Sequence, residues 1–589
     1  MNNEASVLIA GGGGAGLTAS MLLSTLGIDH VLVSAMPHTS LLPKAHVLNQ
    51  RAMEIFEEVG VAGRILEKST PAENMRATAW YSGVTGNHDG YGRELGRLEC
   101  WGGAYTDPDF VAASPFRTAN LPQIRLEPLL KQRAEELGGD IRFGHEVTGL
   151  RQDDKGVTAD VKVRETGETY SVRSQFLLGC DGGRAIGKMV GIELEGLRDI
   201  MQNVSAHISY DFSRYIKDDG ILIRWLVNPD FSGSFASGVL VAMGPNNWGT
   251  KSEEWVLHFM FEPGDEGAFD DAKVLERMRA AIGLPDFNPE IHLISRWTLE
   301  GVLANKFHAG RVFVVGDAAH RHPPTGGLGL NSAVHDAYNL CWKLALVLRG
   351  KAGIKLLDTY GEERRPVDDA NVQNSLKAAF NHFNIDKALA LSPEKSIQEK
   401  WEELRPLWED RPNSAEKRHA VNSAIVSQTI EFRHHNIEFG YTYASSAIVD
   451  DGTPKPVPLD KIRIYEPGTR PGHPLPHAFV ERQGQRIALN TLVHGGKFVL
   501  IAGEDGQPWI DVGRELAKRF GIDLAAIRIG VLEGDYVDAR CAWTKQREIG
   551  RQGAVLVRPD RHIGFRSIGA ARNPKEMLNR AFRQILHVN

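Results

Sequence analysis

A glycine-rich turn between an apolar strand and a helix constrains the fold of this chain more than any other feature. The turn, residues 11–16, reads Gly-Gly-Gly-Gly-Ala-Gly, and a second apolar strand ends at Ser34. This spacing predicts a βαβ unit with the G-x-G-x-x-G pattern, whose glycines let a pyrophosphate approach the helix N-terminus. The residues predicted to contact a dinucleotide here are Gly11, Gly13, Ala15 and Gly16. A plain glycine-rich turn is the alternative.

Ser34 departs from this fingerprint, which usually has Asp or Glu at the same place to hold a ribose hydroxyl. A serine hydroxyl can hydrogen-bond but carries no charge, so it is a weaker ribose ligand than a carboxylate. We therefore expect Ser34 to contact the ribose and other residues to share that task.

Composition excludes several classes of function. The 589 residues exceed one ordinary core, so we expect several domains. The net charge of -6, with acidic and basic residues interspersed, gives no basic stripe for nucleic acid and no polybasic arm for a membrane surface. The four cysteines include no Cys-x-x-Cys pair, which suits a reducing cytoplasm. No basic residue precedes Lys44 and no apolar run reaches about 18 residues, so we expect neither an export signal nor a membrane span.

The pattern of apolar residues changes along the chain. Residues 200–300 contain longer alternating stretches, typical of an antiparallel sheet on which a substrate can lie. Residues 370–420 are charged and helical in pattern, and residues 450–478 are rich in Pro and Gly, as a linker should be. After them, short apolar runs flank the helical stretch 509–520, which predicts a separate small α/β unit.

A second loop, residues 316–331, is more specific than the first. It follows the apolar strand 311–315 and contains two prolines and four glycines. Asp317, at the strand end, can accept a hydrogen bond from a ribitol or ribose hydroxyl, and the glycines let backbone N–H groups approach a flat ring. The N-terminus of the following helix favours negative charge on such a ring. An ordinary strand–loop–helix connection is the alternative interpretation.

Two histidines in this second loop, His320 and His322, suggest a possible metal pair. No third ligand is evident in the sequence at a useful spacing, and both residues flank the proposed ring-binding loop. We therefore predict no metal site.

Together, the two loops resemble those of the class A flavoprotein hydroxylases, in particular the phenol 2-monooxygenases and their 2,4-dichlorophenol 6-monooxygenase branch. Four further stretches agree with this family, namely 44–54, 121–127, 180–182 and 360–366. The resemblance covers about the first 370 residues. The C-terminal unit resembles the thioredoxin-like domain of phenol hydroxylases, and its lack of Cys-x-x-Cys favours a packing or dimerisation role.

The resemblance implies a multidomain fold of α/β and α+β type. We expect a Rossmann-like FAD-binding domain, an antiparallel-sheet substrate-binding domain and a C-terminal thioredoxin-like domain. The expected boundaries are 1–78, 115–195 and 300–370 for the FAD-binding domain, 79–114 and 196–299 for the substrate-binding domain, 371–478 for a helical segment and linker, and 479–589 for the thioredoxin-like domain.

The resemblance also implies which residues contact FAD. Those on its nucleotide, phosphate and ribityl side are Gly11, Gly13, Ala15, Gly16, Ser34, Lys44, Arg51, Gln123, Asp181 and Asp317. Those beside its ring are Pro323, Gly327, Gly329, Leu330 and Asn331. Lys44 stands where relatives usually carry Arg, so a point charge replaces a forked cation. Arg51 either anchors a phosphate or makes a structural salt bridge, and Asp181 belongs to a motif linked to both FAD and NAD(P)H.

The reaction implied by the resemblance is the hydroxylation of a phenolic ring. NAD(P)H reduces the flavin, dioxygen forms a flavin C4a-hydroperoxide, and oxygen enters ortho to the phenolic hydroxyl to give a catechol. The single dinucleotide fingerprint implies transient binding of NAD(P)H on a shared surface, and a homodimer is expected. The rivals are a flavin-dependent halogenase or reductase on the same fold, and a noncatalytic FAD-binding sensor.

His46 and Pro323 are the candidate catalytic residues. A phenolate is richer in electrons than a phenol, so a base near the phenolic oxygen is valuable. His46 matches the position where phenol hydroxylases contact the substrate hydroxyl, and histidine titrates near neutral pH. The alternative is a histidine that hydrogen-bonds in the core or faces solvent. The predicted substrate contacts are His46, Arg224, Trp225 and Trp297, although aromatic residues of this region, with His258, are as readily core residues.

Overall fold

The computed structural model of the protein describes residues 3–86, 88–230, 237–261, 264–392 and 394–588. Within these ranges, the strands form two eight-stranded sheets, one seven-stranded sheet and a two-stranded pair. No helix in the described residues is long and apolar enough to cross a membrane. The expected multidomain α/β architecture is confirmed, and its sheets are mixed.

The first sheet contains the predicted βαβ unit. Its central strand, Glu4–Ala10, pairs in parallel with His30–Ser34 on one side and with Thr169–Gly179 on the other. His30–Ser34 is buried along its whole length, and the C-terminal parts of the other two strands are apolar and buried, as parallel strands covered by helices are. In order across the sheet, the strands are His308–Ala309, Val312–Val314, Thr169–Gly179, Glu4–Ala10, His30–Ser34 and Asp140–Phe143, and the hairpin His145–Asp153 and Gly156–Val163 extends it.

The helices that cover the first sheet include the two that begin at the predicted loops. The helix Gly14–Thr25 packs against both Leu328–Leu348 and Gln123–Glu136. The further helices of this half are Gln50–Glu58, Ala62–Lys68, Pro108–Ala113, Ile186–Met189 and Thr359–Asn381. Asn49 caps the first of these by accepting a hydrogen bond from the backbone N–H of Ala52. The boundary expected at residue 370 falls inside Thr359–Asn381, because one continuous helix runs through it.

The second sheet is antiparallel apart from one parallel pair, Ala77–Tyr81 with Ile221–Leu226. In order across the sheet, its strands are His320–Arg321, Glu290–Ala304, Leu194–Ser209, Glu254–Phe261, Val239–Gly244, Ile221–Leu226, Ala77–Tyr81 and Glu94–Glu99. Alternate side chains point to opposite faces, so the sheet has two apolar faces with different partners. One face packs against the helix Asp271–Ile282.

The other face of the second sheet packs against the helical segment that follows residue 381. Ile385, Trp401, Val421 and Phe432 are buried in the same cluster as Trp80 and Trp225 of the sheet. The helices of this segment are Phe383–Leu389, Ile397–Leu404, Ser414–Ser427, Thr429–Phe432 and His435–Phe439. The helical pattern predicted for residues 370–420 is therefore present, and its function in the fold is to cover one face of the sheet.

A third sheet lies in the C-terminal unit. In order, its strands are Gln485–Ala488, Phe479–Arg482, Tyr536–Val537, Leu524–Gly530, Phe498–Ala502, Ala554–Val557 and Ile563–Ser567. The helices Gln507–Phe520 and Pro574–Leu586 pack against each other and against this sheet, and Ala542–Gln546 is a shorter one. The two-stranded pair is Val47–Leu48 with Ala119–Asn120, and His46 directly precedes its first strand.

Candidate active site

Three loops meet at the carboxyl ends of the parallel strands of the first sheet. Gly11 has a φ of +127°, and a Cβ added to it would collide with the carbonyl oxygen of Cys180. A Cβ on Gly183 would lie 3.2 Å from the carbonyl oxygen of Asp317, and one on Gly316 would lie 3.1 Å from Cβ of Ala15. The loops are therefore in direct contact, at the edge where open α/β sheets bind ligands.

The turn at residues 11–16 has a polar wall made by the helix Gln123–Glu136. Glu127 is almost completely buried, and a Cβ on Gly13 would lie 3.6 Å from its Oε1. Its carboxylate accepts hydrogen bonds from the Ser40 backbone N–H at 2.6 Å and from Gln123 Nε2 at 2.5 Å. Burial raises the pKa of Glu127, and the nearby charge of Lys44 partly offsets this. Gln123 and Lys44 thus lie beside the turn.

Glu127 is a residue that sequence reasoning missed. It ends the family-like stretch 121–127, so the signal was present in the sequence. Its carboxylate lies close to the turn, where the expected acidic partner of the ribose is absent at Ser34. Ser34 itself is buried beside Gly12, and its Oγ accepts a long hydrogen bond, 3.4 Å, from the Met36 backbone N–H.

The two aspartates predicted to contact FAD differ in their surroundings. Asp181 accepts hydrogen bonds from the backbone N–H groups of Gly183 at 3.2 Å, Ala185 at 2.7 Å and Ile186 at 2.9 Å. Its carboxylate therefore holds its own loop in shape. Asp317 is exposed, on the short turn that follows the strand Val312–Val314, so its carboxylate can reach a ligand.

The second loop is held to the pair of short strands by Asn331. Its Nδ2 donates to the carbonyl oxygens of Gly327 at 2.7 Å and Val47 at 3.0 Å, and its Oδ1 accepts from the Asn49 backbone N–H at 2.9 Å. Gly327 has a φ of +62°, which a residue with a side chain rarely adopts. The hydrogen bonds of Asn331 fix the segment that carries His46 against the second loop.

The remaining residues predicted beside the ring also lie in this loop. Pro323 is buried, and Leu330 packs so closely on the first helix that a Cβ on Gly14 would collide with its Cδ1. A Cβ on Gly327 would meet Val47 at 3.5 Å, and one on Gly329 would meet His322 at 3.6 Å. Contacts within the protein therefore do not require glycine at Gly329 or Gly13, whereas the positive φ of Gly327 does require it.

This arrangement fits a flavin dinucleotide. At Gly11 and Gly16 a side chain would collide with the protein backbone, so these glycines shape the turn. At Gly13 and Gly329 the protein leaves ordinary room for a methyl group, so the glycines there leave space for a ligand to approach the backbone. An exposed aspartate and a lysine complete the donor and acceptor set that a ribitol and a pyrophosphate need.

His46 lies partly exposed where the short strands meet the second loop. Its Nδ1 is 2.6 Å from Asn120 Oδ1, while Asn120 Nδ2 donates to Thr70 Oγ1 at 2.6 Å. Since the amide oxygen only accepts, Nδ1 of His46 carries the proton and Nε2 keeps a lone pair. Desolvation lowers the pKa of His46, and the contact with Asn120 partly offsets this. At neutral pH the ring is therefore a neutral base.

A second histidine and a tryptophan lie together on one face of the second sheet. Ser205, His258 and Trp297 are on neighbouring strands, and Ser205 is directly opposite His258 in the strand register. Ser205 Oγ is 2.8 Å from His258 Nδ1, and Trp297 Nε1 donates to it at 3.1 Å. Burial, with a smaller contribution from His46, lowers the pKa of His258 to about 3.

Comparison with known proteins identifies the family of this chain. An FAD binding domain family model matches residues 4–375, and an aromatic-ring hydroxylase C-terminal family model matches residues 468–587. The chain belongs to the FAD-dependent aromatic-ring hydroxylases. Its cofactor is FAD, and it is an enzyme of the monooxygenase class.

Individual relatives of this aromatic-ring hydroxylase match over almost their whole length. A 2,4-dichlorophenol 6-monooxygenase of Delftia acidovorans is 34% identical, over 100% of this chain and 99% of the relative. A phenol 2-monooxygenase of Pseudomonas sp. strain EST1001 is 33% identical, over 98% and 92%. The solved structure of the flavin-dependent monooxygenase PieE, in complex with FAD and substrate, has a TM-score of 0.92 and 37% identity, covering 100% of this chain and 99% of that one. The predicted resemblance is thereby confirmed.

The structure corrects the prediction that Arg51 binds FAD. Arg51 is buried, its Nη1 pairs with Glu54 at 2.8 Å, and its Nη2 donates to the carbonyl oxygen of Asp560 at 3.0 Å. The guanidinium is thus used to join the helix Gln50–Glu58 to the C-terminal unit of the hydroxylase. The structural salt bridge, the alternative considered for Arg51, is the role that these contacts support.

The predicted substrate contacts Arg224 and Trp225 also need correction, because neighbours on a strand point to opposite faces. Arg224 points away from His258, donates to the carbonyl oxygens of Ile221 and Asp218, and lies over the Trp255 ring. Burial lowers its pKa to about 10. Trp225 shares the face of His258 but stacks on another tryptophan of the sheet, with 6.0 Å between ring centroids, inside the cluster covered by helices. Trp225 is therefore a core residue between the sheet and the helices that cover it.

The hydroxylase contains a buried charged cluster that sequence reasoning did not find. Asp336 and Asp368 approach His320, with Nε2–O distances of 2.9 and 3.9 Å, whereas His322 lies apart from them. Arg364 donates to Asp336 at 2.7 Å and to Asp368 at 2.6 Å. Although burial opposes it, the two carboxylates raise the pKa of His320 to about 9, so the histidine is an ion-pair partner of both aspartates. The cluster is an ion-pair network that joins the second loop to the helices behind it.

Proposed function

We propose that this hydroxylase acts on a phenolic ring and places the new hydroxyl ortho to the existing one, giving a catechol. In the balanced reaction, phenol, O2, NAD(P)H and a proton give catechol, NAD(P)+ and water. The observation that carries the proposal is the 2.6 Å contact between His46 Nδ1 and Asn120 Oδ1, from which we infer that Nε2 keeps its lone pair. The names of two relatives, a phenol 2-monooxygenase and a 2,4-dichlorophenol 6-monooxygenase, support the substrate class.

His46 has the role of a base toward the phenolic hydroxyl. Its neutral ring takes the proton through Nε2, and Asn120 keeps the other nitrogen protonated and the ring in place. The phenolate formed is a better nucleophile than the phenol. When bound, FAD supplies an electrophilic oxygen derived from O2 with electrons from NAD(P)H. The helices after residue 381 cover the apolar face of the sheet and would keep water from the ring.

In this proposal, backbone groups make most of the contacts that hold the cofactor. The turn at 11–16, with Lys44 and Gln123, binds the pyrophosphate side, and Asp317 binds the ribitol. Pro323 and the backbone of residues 327–331 lie beside the ring, where Pro323 excludes water. Asp181 acts by shaping the loop at 180–186, over which NAD(P)H would bind transiently.

The C-terminal unit is proposed to have a thioredoxin-like fold with a packing role. Phe498–Ala502 is parallel to Leu524–Gly530 and antiparallel to Ala554–Val557, which is antiparallel to Ile563–Ser567. This order, with one helix after the first strand and one after the last, is that of a thioredoxin core. Its lone cysteine, Cys541, gives no redox pair. A cytoplasmic homodimer remains part of the proposal.

The test is a product assay on the purified, FAD-loaded protein. Phenol, chlorophenols, resorcinol, hydroxybenzoates and hydroxyacetophenones are incubated with NADH or NADPH while NAD(P)H oxidation, hydrogen peroxide and hydroxylated product are measured. We expect substrate-dependent NAD(P)H oxidation coupled to an ortho-hydroxylated product. No hydroxylated product from any of these rings would overturn the proposed function, and hydroxylation at another position would overturn the ortho assignment.

A further inference from the structure

The C-terminal loop, residues 558–562, connects two strands of the C-terminal unit and reaches the FAD-binding domain. It joins the antiparallel strands Ala554–Val557 and Ile563–Ser567. Its two arginines, Arg558 and Arg561, are almost completely buried. Arginine is seldom buried without partners, so the groups that these side chains contact indicate what the loop does. The proposed reaction itself gives these arginines no role.

Arg561 combines a strained backbone with a side chain that makes several contacts. Its φ of +61° lies in the left-handed region, which costs a residue with a side chain about 1 kcal/mol or more. Its guanidinium donates to the carbonyl oxygens of Glu54 at 3.0 Å and Val493 at 3.2 Å, and Nη2 lies 3.2 Å from Glu58 Oε2. Glycine would remove the strain but also these contacts. The strain is therefore offset by contacts that attach the helix Gln50–Glu58 to the C-terminal unit.

The contacts between this helix and the C-terminal loop are reciprocal. Arg51 of the helix donates through Nη2 to the carbonyl oxygen of Asp560 in the loop, at 3.0 Å. In return, Arg561 of the loop donates to the carbonyl oxygen of Glu54 in the helix. A buried apolar interface of similar volume often stabilises a protein as well as such charged groups. Hydrogen bonds in both directions add one defined register of the loop against the helix.

The C-terminal loop also contacts a second helix, Leu328–Leu348. Tyr338 Oη of this helix lies 3.0 Å from the carbonyl oxygen of Pro559 and 2.6 Å from Glu58 Oε2. The guanidinium of Arg561 lies over the Tyr338 ring, 5.7 Å from its centroid. Because Glu58 belongs to the first helix, the C-terminal loop and both helices meet at one place.

The same two helices begin at the candidate active site. Leu328–Leu348 begins in the second loop, and Gln50–Glu58 follows the segment that carries His46. At this end the helices are connected by the hydrogen bond from the Asn49 backbone N–H to Asn331 Oδ1, 2.9 Å long. Between the two connections they pack against each other. A displacement of the C-terminal loop would therefore change the spacing between His46 and the second loop.

We infer, resting on the proposed role of His46, that the C-terminal loop positions the candidate active site, with Arg561 as its positioning residue. Acting through the helix Gln50–Glu58, Arg561 holds His46 at a fixed place relative to the second loop. If this positioning is lost, more NAD(P)H, O2 and protons are converted to NAD(P)+ and hydrogen peroxide, and no ring is hydroxylated in those turnovers. A unit that only packed against the FAD-binding domain would affect stability and leave the peroxide fraction unchanged.

The first experiment measures the peroxide fraction in Arg561→Gly, used as the FAD-loaded full-length protein. The substitution removes the contacts and the backbone strain together, so part of its cost in stability is cancelled. With phenol, NADH or NADPH and saturating FAD, we expect the peroxide fraction to rise about threefold or more and kcat for hydroxylation to fall about tenfold. The matched control is Gln483→Gly, because Gln483 is an exposed residue of the same unit with a φ of +51°. This control releases similar strain and should leave the peroxide fraction unchanged.

The second experiment does not depend on hydroxylation. The Kd of FAD is measured by adding the apoprotein to FAD and following the quenching of flavin fluorescence. We expect about tenfold weaker binding in Arg561→Gly, because Asn49 and Asn331 transmit the displacement to the second loop, and no change in Gln483→Gly. Arg561→Lys, which keeps the positive charge but not the forked donors, should lie between the wild type and Arg561→Gly. Urea unfolding of each apoprotein separates a change in stability from a change in Kd.

The outcomes separate this inference from the proposed function. A lower urea stability of Arg561→Gly, with an unchanged peroxide fraction and an unchanged Kd of FAD, would overturn the inference and leave the loop a packing element. Equal changes in Gln483→Gly would overturn it as well. If the wild type hydroxylates no ring, the proposed function fails, and the Kd of FAD alone decides whether the loop positions the site. If Arg561→Gly does not fold, the same two measurements on Arg561→Lys decide the inference by the same criteria.

Discussion

The FAD side and the substrate side of this site are built in different ways. On the FAD side, glycines at 11–16 and 326–329 place backbone against the ligand, and few side chains are needed. On the proposed substrate side, Asn120 holds His46, while Ser205, His258 and Trp297 come from neighbouring strands and are joined by hydrogen bonds. The first kind of site depends on local conformation, whereas the second depends on tertiary structure.

This difference predicts different sensitivities to mutation. A glycine whose side-chain space is filled by protein cannot be replaced without disturbing the fold, whatever the ligand. A polar side chain on the substrate face can be replaced at moderate cost to stability, but its partners then lose their protonation state or orientation.

The largest effect is expected within the glycine turn itself. In Gly11→Ala, the new Cβ would collide with the Cys180 carbonyl at a positive φ, so we expect a loss of about 3 kcal/mol or more in the free energy of unfolding. In the matched variant Gly13→Ala, where φ is -89°, the Cβ has room, so the apoprotein should keep its stability while FAD content falls. Urea unfolding and bound-flavin absorbance measure the two effects. Equal stability of both apoproteins would contradict this distinction.

Replacement of the proposed base should reduce turnover about 100-fold or more without affecting FAD content. Desolvation holds the pKa of His46 below its ordinary 6.5. Because only the neutral ring accepts a proton, wild-type kcat/KM should be level near pH 7 and should fall as the pH drops through this lowered pKa. In His46→Ala that acid limb should disappear. The control is His38→Ala, on an exposed histidine of the preceding segment. An unchanged turnover and pH profile in His46→Ala would remove His46 as the base.

Features that depend on local conformation could be predicted from the sequence, whereas those that depend on tertiary structure could not. The glycine turn, the Asp317 loop and the family could be recognised because their spacing is local. From the sequence we predicted both Arg224 and Trp225 as substrate contacts, although neighbours on a strand point to opposite faces, and only the folded sheet shows which face carries His258. Arg51 could not be assigned from sequence, since its partner is a carbonyl oxygen 509 residues away. Ser205 could not be found either, because a lone serine on a strand carries no signal of its partners.

A medium effect should follow from changing the partner of His46. In Asn120→Asp, a carboxylate beside Nδ1 favours the charged ring and raises the pKa of His46, so the acid limb of kcat/KM should move up by about one pH unit. Activity at pH 6 would fall accordingly, while activity at pH 8 would change less. Thr70→Val is the control, because it removes the other contact of Asn120 but not the one to His46. If both variants lowered kcat/KM equally at every pH, Asn120 would have a structural role only.

The smallest effect is expected from a contact between the helical segment after residue 381 and the second loop. His434 Nε2 is 2.7 Å from the carbonyl oxygen of Gly326, and its Nδ1 is 3.1 Å from Glu438. Burial opposes charge on His434, but Glu438, with Glu431, raises its pKa overall. A raised pKa stabilises the fold below pH 6.5, and that stabilisation is lost as the pH rises through the raised value. Glu438→Gln should therefore cost about 1 kcal/mol at pH 6 and less at pH 8, measured by urea unfolding of the holoenzyme. A cost independent of pH would mean that the pair is not charged, and that Glu438 contributes only packing to the second loop.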